Sequence, residues 1–262
     1  MRKLALLVLL ALLILAGCTT QTARQGDALE TLASLDCSFI VAIDNENNPG
    51  TLSIDRIRRL YATFDQLDSL YAIADIGAGD LLANAFLASK MDKTKVDGMT
   101  IYNKNGLEAV SSKRLVYAST KSVIPLLKAS HMAYDGLDQG VKDRLSSSKI
   151  GLYARNPASL QIIGMGEAQL GIREALVLIA SQGLEIEAVL STEAQAKAFS
   201  TILKAWYIAN LRLDGISFKT ADISSLFSLQ GCKVSLRGAA ITKGLQSSLA
   251  ELMAKITLKE SL

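Results

Sequence analysis

Side chains able to carry chemistry are few in this sequence. It holds three cysteines, Cys18, Cys37 and Cys232, and a single histidine, His131, among 262 residues. A cysteine–histidine nucleophilic pair needs the thiolate within hydrogen-bond reach of the imidazole. Neither Cys37 nor Cys232 stands in a local signature of such a site. His131 follows an apolar helical stretch, where a histidine commonly serves as a favourable charge at a helix C-terminus. One histidine and no Cys-x-x-Cys spacing leave no recognisable zinc site. Serines are plentiful, but no Gly-x-Ser-x-Gly elbow presents one as a nucleophile. Gly77 and Gly79, in IADIGAGDLL, echo a dinucleotide loop, yet Leu82 stands where its third glycine belongs, and a plain loop-to-helix junction is expected. Gly164 and Gly166 read as loop. Asp44, Glu46 and Asn48 alternate as calcium ligands do. Pro49 occupies the position that needs glycine, however, and Asp55 would have to close the site, so a solvated turn is the expectation. Arg56, Arg58 and Arg59 form a small basic cluster, read as a solvated face with contact to an anionic head group as the alternative. No catalytic residue, metal or cofactor is expected.

Cys18 is different, because of what precedes it. Met1-Arg2-Lys3 is followed by the apolar run LALLVLLALLILA and then by Gly17-Cys18. A basic start, an apolar stretch and small residues make an export signal. As a helix, Leu4–Gly17 spans about 21 Å against a bilayer core of roughly 30 Å, which argues against a permanent span. The run Leu15-Ala16-Gly17-Cys18 resembles the lipobox of bacterial lipoproteins. That resemblance implies transfer of diacylglycerol to the Cys18 sulfur, cleavage between Gly17 and Cys18, and acylation of the new N-terminus with palmitate-like chains. Cysteine suits the step because its soft thiolate takes the lipid. Thr19, rather than aspartate, then implies the periplasmic side of the outer membrane in a cell with two membranes. With Cys18 lipidated, two readings of the remaining pair stand. Cys37 and Cys232 form a disulfide in an oxidising compartment, worth roughly 4–5 kcal/mol in the chain-entropy model, or both are buried thiols.

Bulk composition removes other partners. A formal charge of +3, with 5% aromatic residues, provides neither the field nor the stacking surface that nucleic acid requires. Three prolines and no low-complexity run argue for a folded chain.

The elements repeat. SFIVAI (38–43) corresponds to KIGLYA (149–154), each followed by Asn-Pro at 48–49 and 156–157. Ile57-Arg58 corresponds to Ile172-Arg173, Ala85-Phe86 to Ala198-Phe199, and Asp97-Gly98 to Asp214-Gly215. RLVYAS (114–119) corresponds to KVSLRG (233–238), and Thr120-Lys121 to Thr242-Lys243. The preserved order, at offsets of 108 to 122, points to an internal duplication. Each half reads as a strand, then a stretch over 57–76 or 172–192, a helix, two strands and a last helix over 120–130 or 242–256. The helical spacing of Ile172, Ala175, Leu176 and Ile179 allows a helix followed by a strand in that stretch, but the two β-rich arms and the turn between them favour a hairpin. The strands GMTIY and GISF open after the two Asp-Gly pairs. Thr192 and Gln195 make a capping box, and Ala198, Phe199, Ile202, Ala205, Trp206 and Ala209 are expected to form the apolar face of that helix.

The expected organisation is a signal peptide at 1–17, a lipidated Cys18 and tether through 35, a first module at 36–132, a connector at 133–147 and a second module at 148–262. The expected class is α+β: two tandem, similar modules of antiparallel strands with helices packed on one face. This layout loosely resembles duplicated ectodomains of uncharacterised bacterial envelope proteins, and that likeness implies no biochemistry. The functional expectation is a non-enzymatic envelope lipoprotein, anchored to a membrane through Cys18, that binds a protein partner or organises an envelope complex. The alternative is a carrier of a small molecule or lipid, with an apolar cleft between the modules lined by Trp206, Tyr207, Phe199 and Phe227. A hydrolase would need His131 or a carboxylate pair beside a nucleophile.

Overall fold

The structure, a computed structural model, describes residues 25–35, 39–49, 57–64, 69–132, 136–155 and 171–247. The signal segment, Gly17, Cys18, Cys37, Asp55, Arg56, Gly164 and Gly166 lie outside the described residues.

Among the described residues, twelve antiparallel strands form one continuous sheet in the order β11-β12-β10-β9-β8-β1-β2-β3-β7-β6-β5-β4. At its centre β1 (Phe39–Asp44) pairs with β8 (Ile150–Arg155), from Phe39↔Ala154 to Ile43↔Ile150. Both strands are buried nearly throughout, which is why they read as unbroken apolar runs; a strand covered on both faces loses the two-residue alternation. The hairpins expected on either side are present. They are β2 (Arg59–Phe64) with β3 (Leu70–Asp75), and β9 (Ile172–Ala180) with β10 (Gly183–Leu190). The outer strands are β4 (Asp92–Val96), β5 (Met99–Lys104), β6 (Leu107–Ser112) and β7 (Leu115–Ser119) at one end, β11 (Phe227–Gln230) and β12 (Lys233–Ala239) at the other.

Helices cover both faces, not one. One face carries α2 (Asp80–Lys90), α5 (Glu193–Leu213) and α6 (Thr220–Ser225). Its core joins Val41, Leu60, Ala72 and Leu152 of the central strands to Phe199, Leu203, Tyr207 and Ile223. The opposite face carries α1 (Gln25–Ala33), α3 (Ile124–Ala129) and α4 (Gln139–Ser147), and there Leu29, Leu32, Leu126 and Leu145 close over Ile40, Tyr61, Ile73, Tyr153 and Leu176. Alternation in β1, β2 and β3 feeds apolar side chains to both faces, so a helix layer on one side alone would leave the other wet.

Four other expectations change. Residues 25–33, expected within the tether, form α1, whose Leu29 and Leu32 are buried in the core. Residues 133–147, expected as a connector, contain α4. It sits hard against β8, since a Cβ on Gly151 would come within 2.7 Å of Leu145 Cδ2 and 2.8 Å of Ser148 Oγ. Ion pairs also hold α4: Lys142 to Glu30 of α1 at 2.6 Å, and Arg144 to Glu185 and Glu187 of β10 at 3.1 and 3.0 Å. Burial works against the Glu187 carboxylate, but Lys233 at 2.7 Å and Arg144 outweigh it and hold it below the usual range. Residues 216–218 of GISF are not a strand. In the first half the strand expected after Asp97-Gly98 is present as β5, and it is joined by β4, which the alternating charges of DKTKV conceal. On α5, Thr192 caps the Gln195 N–H at 3.2 Å as expected, but the buried stripe is Ala196, Phe199, Leu203, Tyr207 and Leu211. Of the six residues expected to form it, only Phe199 is buried.

One buried polar group stands out. The Tyr61 hydroxyl has no hydrogen-bond partner among the described residues; Ser146 approaches it without bonding geometry. Burial pushes its phenol up to about 12, against a lowering influence from Arg59. An orphan hydroxyl costs roughly 1–3 kcal/mol. Tyr61→Phe is therefore expected to stabilise the fold by about 1 kcal/mol in urea titrations at pH 7. The raised value also has a sign. The folded state keeps the phenol proton that the unfolded chain releases near pH 10, so this contribution is full below pH 10 and is lost as pH rises toward 12. Tyr61→Phe should flatten that alkaline loss, and an unchanged alkaline limb would show that Tyr61 is not its source.

Candidate functional site

The residues singled out as candidate chemistry do not converge. His131 is exposed beyond the end of α3, and no cysteine lies beside it among the described residues. The spacing Ser146-x-x-Lys149 matches the Ser-x-x-Lys pattern of serine hydrolases, but α4 ends at Ser147 and exposed Lys149 already lies beyond the Ser148 cap, so the pair does not share a helix face. Asp44 turns its oxygens onto its own loop: Oδ1 accepts from the Glu46 and Asn47 N–H groups at 3.1 Å, and Oδ2 accepts from Asn47 Nδ2 at 2.6 Å. Glu46 faces Arg58 at 3.8 Å and Arg59 at 3.7 Å, with Arg59 3.8 Å from Asp44. The basic pair and the acidic loop thus neutralise one another. No group of three or more potential metal ligands occurs among the described residues.

Cys232 is a free, half-buried thiol in the turn before β12. Alkylation of the unreduced protein with iodoacetamide under denaturing conditions should therefore label Cys232. A peptide recovered disulfide-linked to it would contradict the free thiol.

Phe199, Tyr207, Trp206 and Phe227 do come together, as core. Phe199 and Tyr207 are fully buried, Trp206 packs partly buried against them, and the Phe227 ring lies 6.3 Å from that of Tyr207. The Tyr207 hydroxyl accepts from the Ala240 N–H at 2.7 Å, and burial raises its pKa. These rings fill the space beneath α5. The boundary between the halves is closed by the β1–β8 ladder, and both cores run across it.

Large apolar side chains are exposed at several places among the described residues, Met132 and Leu213 included, but α2 carries three of them on one element. Its inner side is well seated: Leu87 and Met91 pack against Tyr102, Leu107 and Ala109. Its start is pinned, because Asp80 Oδ1 accepts from Ser111 Oγ at 2.9 Å and from the Arg114 N–H at 2.8 Å. The preceding turn requires Gly77, which has φ +61° and lies where a Cβ would fall 2.1 Å from Arg58 Nε. The glycine loop therefore aims a helix and lets an arginine pass over it. On the outer side Leu81 is 82% exposed, Leu82 64% and Phe86 40%, with Ala85 and Ala88 exposed between and beyond them. Three large apolar side chains in water on one short helix form a patch of the kind that marks an interaction surface. The doublet Leu81-Leu82 at the helix start was the available signal, but in sequence it resembles any core-facing pair.

These features define an α+β protein with one large antiparallel sheet, helices on both faces and an uncovered apolar helix face. Two solved structures share the fold. Crystal form IV of TP0453 aligns with a TM-score of 0.55 at 11% identity, over 88% of this chain and 99% of that one. Crystal form I of TP0453 gives 0.54 at 12% identity, over 86% and 97%. At such identity the likeness is one of fold. No protein-family model matches the sequence, and no curated protein sequence matches it.

Proposed function

We propose that this chain is a lipoprotein of the cell envelope, held to a membrane through lipid on Cys18, that works by binding a protein partner rather than by catalysis. The observation that carries the reading is the exposed apolar face of α2. Leaving apolar area in water costs roughly 25 cal/mol per Å², and covering it on a partner recovers that free energy. The closed boundary between the halves weighs against a carrier with a cleft there. The run Leu15–Cys18 supports the anchor, and Thr19 supports the outer membrane where a cell has two.

We read the two halves as a duplication, supported by their element order. α1-β1-β2-β3-α2 is matched by α4-β8-β9-β10-α5, and the strand order outward from the centre, β1-β2-β3-β7-β6, is matched by β8-β9-β10-β12-β11. On this reading α2 and α5 are equivalent helices. The 21-residue α5 buries five of its residues, whereas the 11-residue α2 buries two and leaves its outer face apolar. One copy has become core and the other a binding surface.

The test is a photoreactive side chain at Leu82 in the full-length protein in cells, with Lys197 on α5 as the control position. A discrete protein adduct at 82 and none at 197, lost when Leu81→Asp is added to the Leu82-labelled chain, is the expected result. Adducts to lipid alone would sink the reading.

A further inference from the structure

β4 is the last strand of the sheet on the α2 side, and among the described residues it pairs only with β5. Asp92, Lys93, Thr94 and Lys95 are all exposed. The hairpin closes through a two-residue turn at Asp97 (φ 50°) and Gly98 (φ 79°), joining Val96 to Met99. Such a turn makes Val96–Met99 a hydrogen-bonded pair, and the antiparallel alternation then turns the N–H and C=O of Lys93 and Lys95 outward. Their side chains have a defined side too. Lys93 stands opposite Tyr102, and Tyr102 packs with Leu87 and Met91 of α2, so Lys93 and Lys95 lie on the α2 face of the sheet. Lys90 ends α2 at the same edge. An open backbone edge, its lysines and an uncovered apolar helix therefore share one side of the molecule.

We propose that this edge takes an extended acidic segment of a protein partner as an added strand, with carboxylates on Lys93 and Lys95. The proposal rests on the reading that α2 serves a protein partner, and it names the chemistry of that partner. A second copy fits poorly. Antiparallel self-pairing centred on Thr94 sets Lys93 against Lys95 twice, and like charges directly opposed are unfavourable. A lipid surface also fits poorly, since the outward N–H and C=O groups would find no hydrogen-bond partners in hydrocarbon. An acidic strand satisfies both the backbone row and the ammonium groups, by the strand-addition mode of peptide recognition.

The test uses the full chain in detergent and a fluorescent eight-residue peptide alternating glutamate with valine, plus its lysine–valine counterpart. The glutamate peptide should bind saturably to the parent and at least tenfold more weakly to Lys93→Glu/Lys95→Glu, which should gain binding of the lysine peptide. Hydrogen exchange should show the amides of Lys93 and Lys95 becoming protected on binding. Peptide binding that survives the double reversal, or leaves those amides unprotected, overturns the proposal. If the Leu82 adduct forms while the glutamate peptide fails to bind, the edge assignment falls and the protein-partner reading stands. If the Leu82 adduct is absent as well, the partner reading falls with it. Protection of α2 and β4 by phosphatidylethanolamine–phosphatidylglycerol vesicles, with none by peptide, would make a membrane the occupant and overturn the proposal.

Discussion

Phe199→Ala is expected to destabilise the protein by about 3–5 kcal/mol, whereas Ile202→Ala, one turn away on the same helix, should change stability by no more than about 0.5 kcal/mol. The two residues belong to one apolar-looking stretch of α5, but Phe199 is 1% exposed and Ile202 38%. Phe199 fills the core with Leu203 and Tyr207, against strands from the centre to β12. Truncating it removes a ring's worth of buried area and leaves a cavity that β-strands on one side and a 21-residue helix on the other cannot easily collapse into. For a domain of this size each kcal/mol moves the melting temperature by about 2–4 °C, so the loss should be on the order of 10 °C. Thermal melts of both variants check it. Equal shifts for Phe199→Ala and Ile202→Ala would mean that α5 packs with a different face inward.

That pair also shows what the sequence made legible and what it did not. The period of α5 and its Thr192 cap are local properties, and they locate the helix. The buried stripe was harder, because Ala198, Ala205 and Ala209 are apolar yet small enough to be tolerated in water, while Tyr207 is polar-tipped yet fully buried. Its hydroxyl finds the Ala240 N–H, a partner 33 residues away that no local pattern announces. The hairpins were readable because each combines β-rich arms with a turn. Strand β5 was readable as GMTIY after Asp97-Gly98, but its partner β4 was not, since the edge strand DKTKV, exposed except for half-buried Val96, lacks the apolar alternation by which strands are recognised.

The candidate site was less legible than the fold for a related reason. Leu81, Leu82 and Phe86 look like core residues, and only the position of α2 outside β5 and β6 leaves them in water. Conversely, the glycines at 77 and 79, the acidic loop at 44–48 and Arg58 echo site motifs, although the expected reading of each is the plain one: a loop-to-helix junction, a turn and a solvated face. They turn out to serve geometry: a left-handed turn under an arginine, and a carboxylate capping its own loop. Charged and glycine-rich motifs are ambiguous between these roles until their partners in space are known.

Cys18→Ala is expected to abolish lipid attachment altogether, an all-or-none change that dwarfs any effect of a surface substitution. Each buried methylene contributes about 0.8 kcal/mol to membrane attachment, and a single fatty chain holds a protein only marginally; two or more chains hold it stably. Alanine supplies no sulfur to take the lipid, so labelled palmitate should not be incorporated. Any chain processed near residue 18 should move from the detergent phase to the aqueous phase on phase separation. Unchanged partitioning of processed Cys18→Ala protein would show that another element holds it to membranes. The same substitution bears on how the folded body works. α1 begins at Gln25 and its Leu29 and Leu32 are fully buried, so the body starts only seven residues after Cys18. Even fully extended, that stretch reaches about 25 Å. On the reading that Cys18 carries the anchor, the body is tied at α1 within about 25 Å of the membrane, and a partner held at that membrane meets it at a raised effective concentration. Releasing the anchor should weaken that encounter by dilution, without altering a single contact.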